Sequence, residues 1–299
     1  MSQHVFQHVS DRVSDTTIHD LGYRRYEGAR DGVRGAWRAL FAQGFRAMFG
    51  FGRPLKSKAV PAFVLAATML PCLATLAASS ATKGQLPIMY GGLIQAQLIL
   101  FVLFAAAQAP EVMSHDQQHR VLPLILTRDV TRDVYTSARV AAVLCALLVV
   151  CAAPLLLLYI GEIGIAVDPA TAFSKMGTKA GPVLMQATLT AWVIGGIGGA
   201  MASMTPRRAY ATTSVIGVFL VAAAVSIGLD DLAGISADVS GFIDPLRSLH
   251  KMALILFGEK NRAMELAPPP PLWMFAVLAL SLGAAGVLAT FWRVRRVRV

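Results

Sequence analysis

Six apolar stretches, near residues 59–79, 88–109, 135–160, 181–203, 209–228 and 271–292, limit what this chain can become. Each approaches the roughly 20 residues that an α-helix needs to cross a bilayer. Hydrocarbon offers no water to backbone N–H and C=O groups, so a spanning segment must bond them internally. The chain is therefore read as an all-α integral membrane protein with six transmembrane helices. Composition agrees, with 56% hydrophobic and 15% charged residues, against roughly 25% charged in soluble domains. Pro61, Pro71 and Pro154 fall inside spans, where neighbouring helices can accommodate them.

Charge orients the spans. With the N-terminus inside, only Lys83, Lys175, Lys179, Arg247, Lys251, Lys260 and Arg262 of the 27 Lys and Arg fall outside. That bias predicts both termini in the cytoplasm. No apolar core precedes a small-residue cleavage site near the start, so the first residues are read as a cytoplasmic segment. The +10 formal charge is explained by this topology and not by nucleic acid. The terminal RVRRVRV reads as an anchor on an anionic leaflet.

Residues 1–58 are read as a cytoplasmic tail and an amphipathic interface helix, and 59–299 as a six-span transmembrane domain. From Asp31 to Phe49, Val33, Trp37, Leu40, Phe41, Gly44 and Met48 share one helical face, with Arg34 and Arg38 at its rim. This pattern suits a helix lying in the headgroup layer; packing on protein is the alternative. In the fourth span, Gly195, Gly196, Gly198 and Gly199 with Ser203 predict close approach of another helix. The outer segment 229–270 holds an apolar run from Phe242 to Phe257, too short to cross, and is read as short helices before the last span.

The inner loop 110–134 is the longest polar interruption on the positive side. It carries Glu111, Asp116, Arg120 and Arg128 around an apolar knob of Val121, Leu122, Leu124, Ile125 and Leu126. An apolar knob flanked by charges at a membrane surface is read as a docking element for a soluble partner. Chemistry of the chain's own is sparse. No G-x-x-x-x-G-K-[ST] motif is present. His115-Asp116-Gln117-Gln118-His119 echoes a zinc motif but lacks an evident third ligand, so no metal site is expected. Acidic or basic residues are not expected deep in any span, which argues against ion-coupled transport. Cys72, Cys145 and Cys151 lie in apolar runs and are read as buried thiols.

These residues resemble a family: the six-span permease subunits of ATP-binding-cassette (ABC) exporters with the type V fold, especially actinobacterial forms. Four features carry the likeness in order. They are the Ile18–Tyr26 run with its following surface helix; the loop Ala109-Pro110-Glu111 … Asp116 … Arg120 to Arg128; its closing Arg132-Asp133-Val134-Tyr135; and the long outer segment. The family often has Pro where this chain has Asp129.

The resemblance implies a multi-pass protein of the bacterial plasma membrane that binds no cofactor itself. ATP and Mg would sit on two separate ABC ATPase subunits, and a second permease chain, identical or related, would complete the complex. The loop would form a coupling helix around Asp116 to Leu126. Leu122, Leu124, Ile125 and Leu126 would make apolar contacts with the ATPase, while Asp116, Arg120 and Arg128 would set register, with Glu111 beside them. The interface helix, through Trp37, Leu40, Phe41 and Met48, would brace the ATPase. A path between permeases would be lined by Gln95, Gln97, Leu98 and Phe101 of span two and Thr213, Val215, Ile216 and Phe219 of span five. These uncharged residues favour an amphipathic or hydrophobic cargo such as a drug, antibiotic, lipid or peptide. The alternative is a non-transporting scaffold or sensor subunit of an ATPase complex.

Overall fold

The computed structural model describes residues 32–82, 86–118, 122–126, 130–166, 169–233, 240–259 and 270–296. Among them no strand occurs. The protein is an all-α membrane protein. Six helices are long and apolar enough to cross a bilayer: α2 (Leu55–Ala81), α3 (Tyr90–Met113), α6 (Arg132–Ile165), α7 (Pro169–Met204), α8 (Arg208–Ala233) and α10 (Leu272–Arg296). Four contain the stretch read from sequence, while α3 and α10 start two residues and one residue inside theirs; α7 begins twelve residues ahead of its stretch. The shorter helices are α1 (Gly32–Met48), α4 (His115–Gln118), α5 (Leu122–Leu126) and α9 (Pro245–Phe257).

Helix ends follow local rules. Thr131 caps α6, its side chain accepting from the Val134 N–H, and Asp133 in the first turn suits the positive end of the dipole. Asp244 caps α9 in the same way through the Leu246 N–H, with Pro245 in the first turn. Gly258 ends α9 at φ +68°, a left-handed conformation that costs glycine little. Its N–H reaches the Ile255 carbonyl while the Glu259 N–H reaches that of Leu254. This paired closure satisfies two orphan carbonyls.

The most buried span is α7, which packs on α3, α6, α8 and α10. Its glycines are the reason. A Cβ on Gly196 would meet the Gly283 carbonyl oxygen at 2.5 Å, and one on Gly286 would meet the Gly196 carbonyl carbon at 2.3 Å. Backbones of α7 and α10 thus touch, as small residues allow between membrane helices. Trp192 locks the same seam by donating to the Leu280 carbonyl at 3.1 Å. The close approach expected from the glycine run is present, and its partner is the last span.

Two ends of the bundle are distinguishable. One carries α1, α4, α5, the starts of α2, α6 and α8 and the finish of α10, with most of the described arginines. We call it the basic end. At the opposite end Glu162 accepts from Tyr90 Oη at 2.7 Å and from Lys179 Nζ at 2.7 Å. There α9 packs against α3, α7, α8 and α10, burying Leu249, Met252 and Ala253. Arg247 of α9 reaches Asp230 of α8 at 2.5 Å. Cys72 and Cys151 are buried and Cys145 is half-buried.

Candidate functional site

At the basic end, the first turns of α6 place Tyr135 and Arg139 four residues apart, and so on one helical face. Both are buried, Arg139 to 3% exposure. They converge on Asp116 of α4. Arg139 Nη2 lies 2.5 Å from Asp116 Oδ2, and Tyr135 Oη donates to the same oxygen at 2.8 Å. Arg139 also donates to Gln43 Oε1 of α1 at 3.3 Å, and its guanidinium lies over the Tyr135 ring. One carboxylate therefore joins α4 and α6, and the arginine extends the join to α1. Burying an ion pair is costly, but once buried each partner depends on the other.

The short helix α4 is fixed by more than this pair. Ser114, next to it, donates to the Ala202 carbonyl at 2.6 Å, and Gln117 donates to the Ser203 carbonyl at 3.3 Å. So the loop after α3 is tied to the end of α7 as well.

The apolar knob divides. Ile125 and Leu126 of α5 turn inward and pack with Leu40, Val130, Tyr135 and Val294. Leu124 points outward and is 69% exposed. α5 begins at Leu122. Arg120, Val121 and Arg128 lie outside the described residues, as do His119, Asp129 and the Ile18–Tyr26 run.

Of the segment expected as a helix from Asp116 to Leu126, α4 and α5 are described, and 119–121 lie outside the described residues. Two sequence expectations are corrected here. Asp116 is buried in an internal ion pair, so it cannot set register with another protein through its charge. Glu111 is likewise internal: it bridges Arg53, before α2, and Arg208, at the start of α8. A carboxylate in a polar loop is usually solvated; here cations from three other elements enclose two of them.

The interface helix is packed on protein. Trp37 donates to Ser137 Oγ of α6 at 3.1 Å, and Gly44 faces Ala142 so closely that a Cβ would lie 2.9 Å from it. Trp37 and Phe41 stack with centroids 5.3 Å apart, and the row continues through Phe45 and Phe49 to Phe104 of α3. Met48 is fully buried, while Val33, placed on the same face from sequence, is exposed. Thus most of the face assigned to a headgroup layer meets α3 and α6.

The proposed path residues separate sharply. Gln97, Leu98 and Phe101, and Val215 and Phe219, are buried inside this one chain. Gln97 donates to the Thr68 carbonyl and to Cys72 Sγ, both at 3.2 Å. Ile216 is half-buried, and only Gln95 and Thr213 face outward. Five of the eight residues named from sequence are therefore core, not lining.

Sequence reasoning missed Arg139, Tyr135, Gln43, Arg53, Arg208 and Ser114 as parts of this assembly. The Tyr135/Arg139 spacing on an otherwise apolar helix was the available signal, since a span rarely spends an arginine on lipid. Among the described residues no group of His, Cys, Asp and Glu is placed to hold a metal. The chain matches no family model, and no curated protein matches it.

Proposed function

We propose that this chain is the permease subunit of an ABC exporter of the type V kind. In this reading it lies in a bacterial plasma membrane with both termini cytoplasmic. It moves an amphipathic or hydrophobic cargo outward, on work from ATP hydrolysed by two separate ATPase subunits, together with a second permease chain. The chain itself carries no catalytic residue.

The observation that carries the reading is α5. Leu124 is exposed on a five-residue helix whose neighbours Ile125 and Leu126 are anchored inside. A single apolar side chain on a braced surface helix suits insertion into a groove of a soluble protein. The bracing also suits force transmission. A push on α5 reaches α6 and α10 through Tyr135 and Val294, and α4 reaches α1 through Arg139. Packed elements of this kind move as bodies between discrete arrangements. The excess of arginine at the same end supports the cytoplasmic assignment.

The test is reconstitution. The chain is co-expressed with ATPases encoded beside it and purified through a tag on the chain alone. Stoichiometric capture of an ATPase, with ATP hydrolysis stimulated by an amphipathic compound in vesicles, is expected. Transport by the chain alone without nucleotide, or α5 accessible only from outside the cell, would end the proposal.

A further inference from the structure

A cleft of about 340 Å³ opens at the basic end beside Glu111. Arg53, Ser57, Glu111, His115, Gln118 and Arg208 line it. The starts of α2 and α8 and the finish of α3 meet there. Glu111 has only 9% of its side chain exposed and accepts from both arginines, whereas Arg53 is 29% and Arg208 59% exposed. Two guanidiniums against one carboxylate leave one positive charge in excess, and the more exposed arginine, Arg208, lines the cleft while its Nη2 also donates to the Ala107 carbonyl at 3.5 Å. Arginine's planar fork suits phosphate and carboxylate oxygens, and Ser57 and Gln118 add neutral donors.

Above the cleft the surface turns apolar. α3 packs on α2 and on α8, while α2 and α8 share at most marginal contact. The α3 strip left open between them runs through Gln95, Ile99 and Leu103. Exposed Phe63 and Leu70 of α2 and Tyr210 and Leu220 of α8 lie on its flanking helices. A charged cleft that continues into an apolar strip matches a molecule with an acidic head and an apolar tail.

We infer that the Arg53–Glu111–Arg208 cleft holds the phosphate or carboxylate head of an amphipathic cargo. This deepens the transport reading and rests on it: the cargo is an anionic amphiphile, not a neutral or cationic one. Glu111 serves as the resident counter-ion. The entering head group takes Arg208, and Glu111 keeps Arg53, so neither guanidinium is left unpaired as the cargo loads or leaves.

Binding is measured on the full-length chain, without ATPase, in neutral detergent. The probes are fluorescent lysophosphatidylglycerol and lysophosphatidylcholine, with inorganic phosphate as competitor. The anionic lipid is expected to bind roughly tenfold more tightly than the zwitterionic one, the range of a hydrogen bond to a charged group. Arg53→Ala with Arg208→Ala removes that preference. Glu111→Gln, which frees both arginines, raises affinity for the anionic lipid severalfold; a gain cannot come from misfolding. Equal binding of the two lipids, or unchanged or weaker binding in Glu111→Gln, overturns the inference. So does full competition by inorganic phosphate at the lipid's own concentration, since the site then reads a free anion. An ATPase that fails to associate leaves these binding results intact, so the two proposals fail separately.

Discussion

Arg139 Nη2 lies 2.5 Å from Asp116 Oδ2, so a guanidinium rooted in a spanning helix is neutralised by the short helix that follows the preceding span. Neither group is accessible enough to be hydrated in its place. Removing one partner strands the other, which typically costs about 3–5 kcal/mol. Asp116→Ala and Arg139→Ala should each lower the thermal midpoint strongly, measured by tryptophan fluorescence in detergent. The double variant Asp116→Leu with Arg139→Met should recover much of the loss, because no buried charge remains. The exposed pair Asp133–Arg295, at 2.9 Å, offers a contrast. Asp133→Ala should shift the midpoint little, as solvent screens such pairs.

The contact of Gly196 with Gly283 and Gly286 leaves no room for a methyl group. Gly196→Ala places a carbon against backbone atoms, which cannot swing aside as a side chain can. Overpacking of this kind costs about 1–3 kcal/mol, more than the helix propensity gained. Gly181→Ala in the same helix meets nothing within 4 Å. It should be neutral or stabilising by up to about 1 kcal/mol. Thermal midpoints of the two single variants decide the matter; equal shifts would show that α7 and α10 do not approach so closely.

His250 sits on α9, outside the spans, and burial holds its imidazole below the ordinary value of 6.5, with Lys251 acting in the same direction. The unfolded chain therefore binds this proton more readily than the folded one. Stability from this residue is unaffected above about pH 6.5, falls as pH drops through that value, and levels off only below the depressed folded value. Acid should loosen α9 first, seen as faster amide exchange around Leu249 and Met252. His250→Gln should flatten that pH dependence without altering exchange at neutral pH.

The spans were readable because the bilayer imposes a length and a composition, and both are written in consecutive residues. Their faces were not. Gln95 and Gln97 are the same residue type two positions apart, yet one faces outward and the other bonds the Thr68 carbonyl. In a helix apolar all round, side-chain type does not separate a lipid face from a protein face. Loop charges mislead for a related reason. Asp116 reads as solvated until Arg139, 23 residues later, is brought to it by the return of the chain. The glycine seam was legible because it is a local pattern. The internal ion pairs were not, because their partners lie far apart in the sequence, on different elements.

Leu124 and Leu126 separate folding from docking. They lie two residues apart in α5, but Leu124 is exposed while Leu126 packs with Tyr135 and Val294. A substitution at a largely exposed position usually changes stability by no more than about 0.5 kcal/mol. Leu124→Asp should therefore fold and melt like the parent chain yet lose most co-purifying ATPase. Leu126→Asp buries a carboxylate against apolar neighbours, so it should lower the thermal midpoint and the yield of folded protein. If Leu124→Asp keeps its ATPase at the parent ratio, α5 is not the docking element, whatever the fate of Leu126→Asp. If both variants lose ATPase and stability together, Leu124 belongs to the fold and the exposed knob has no separate role.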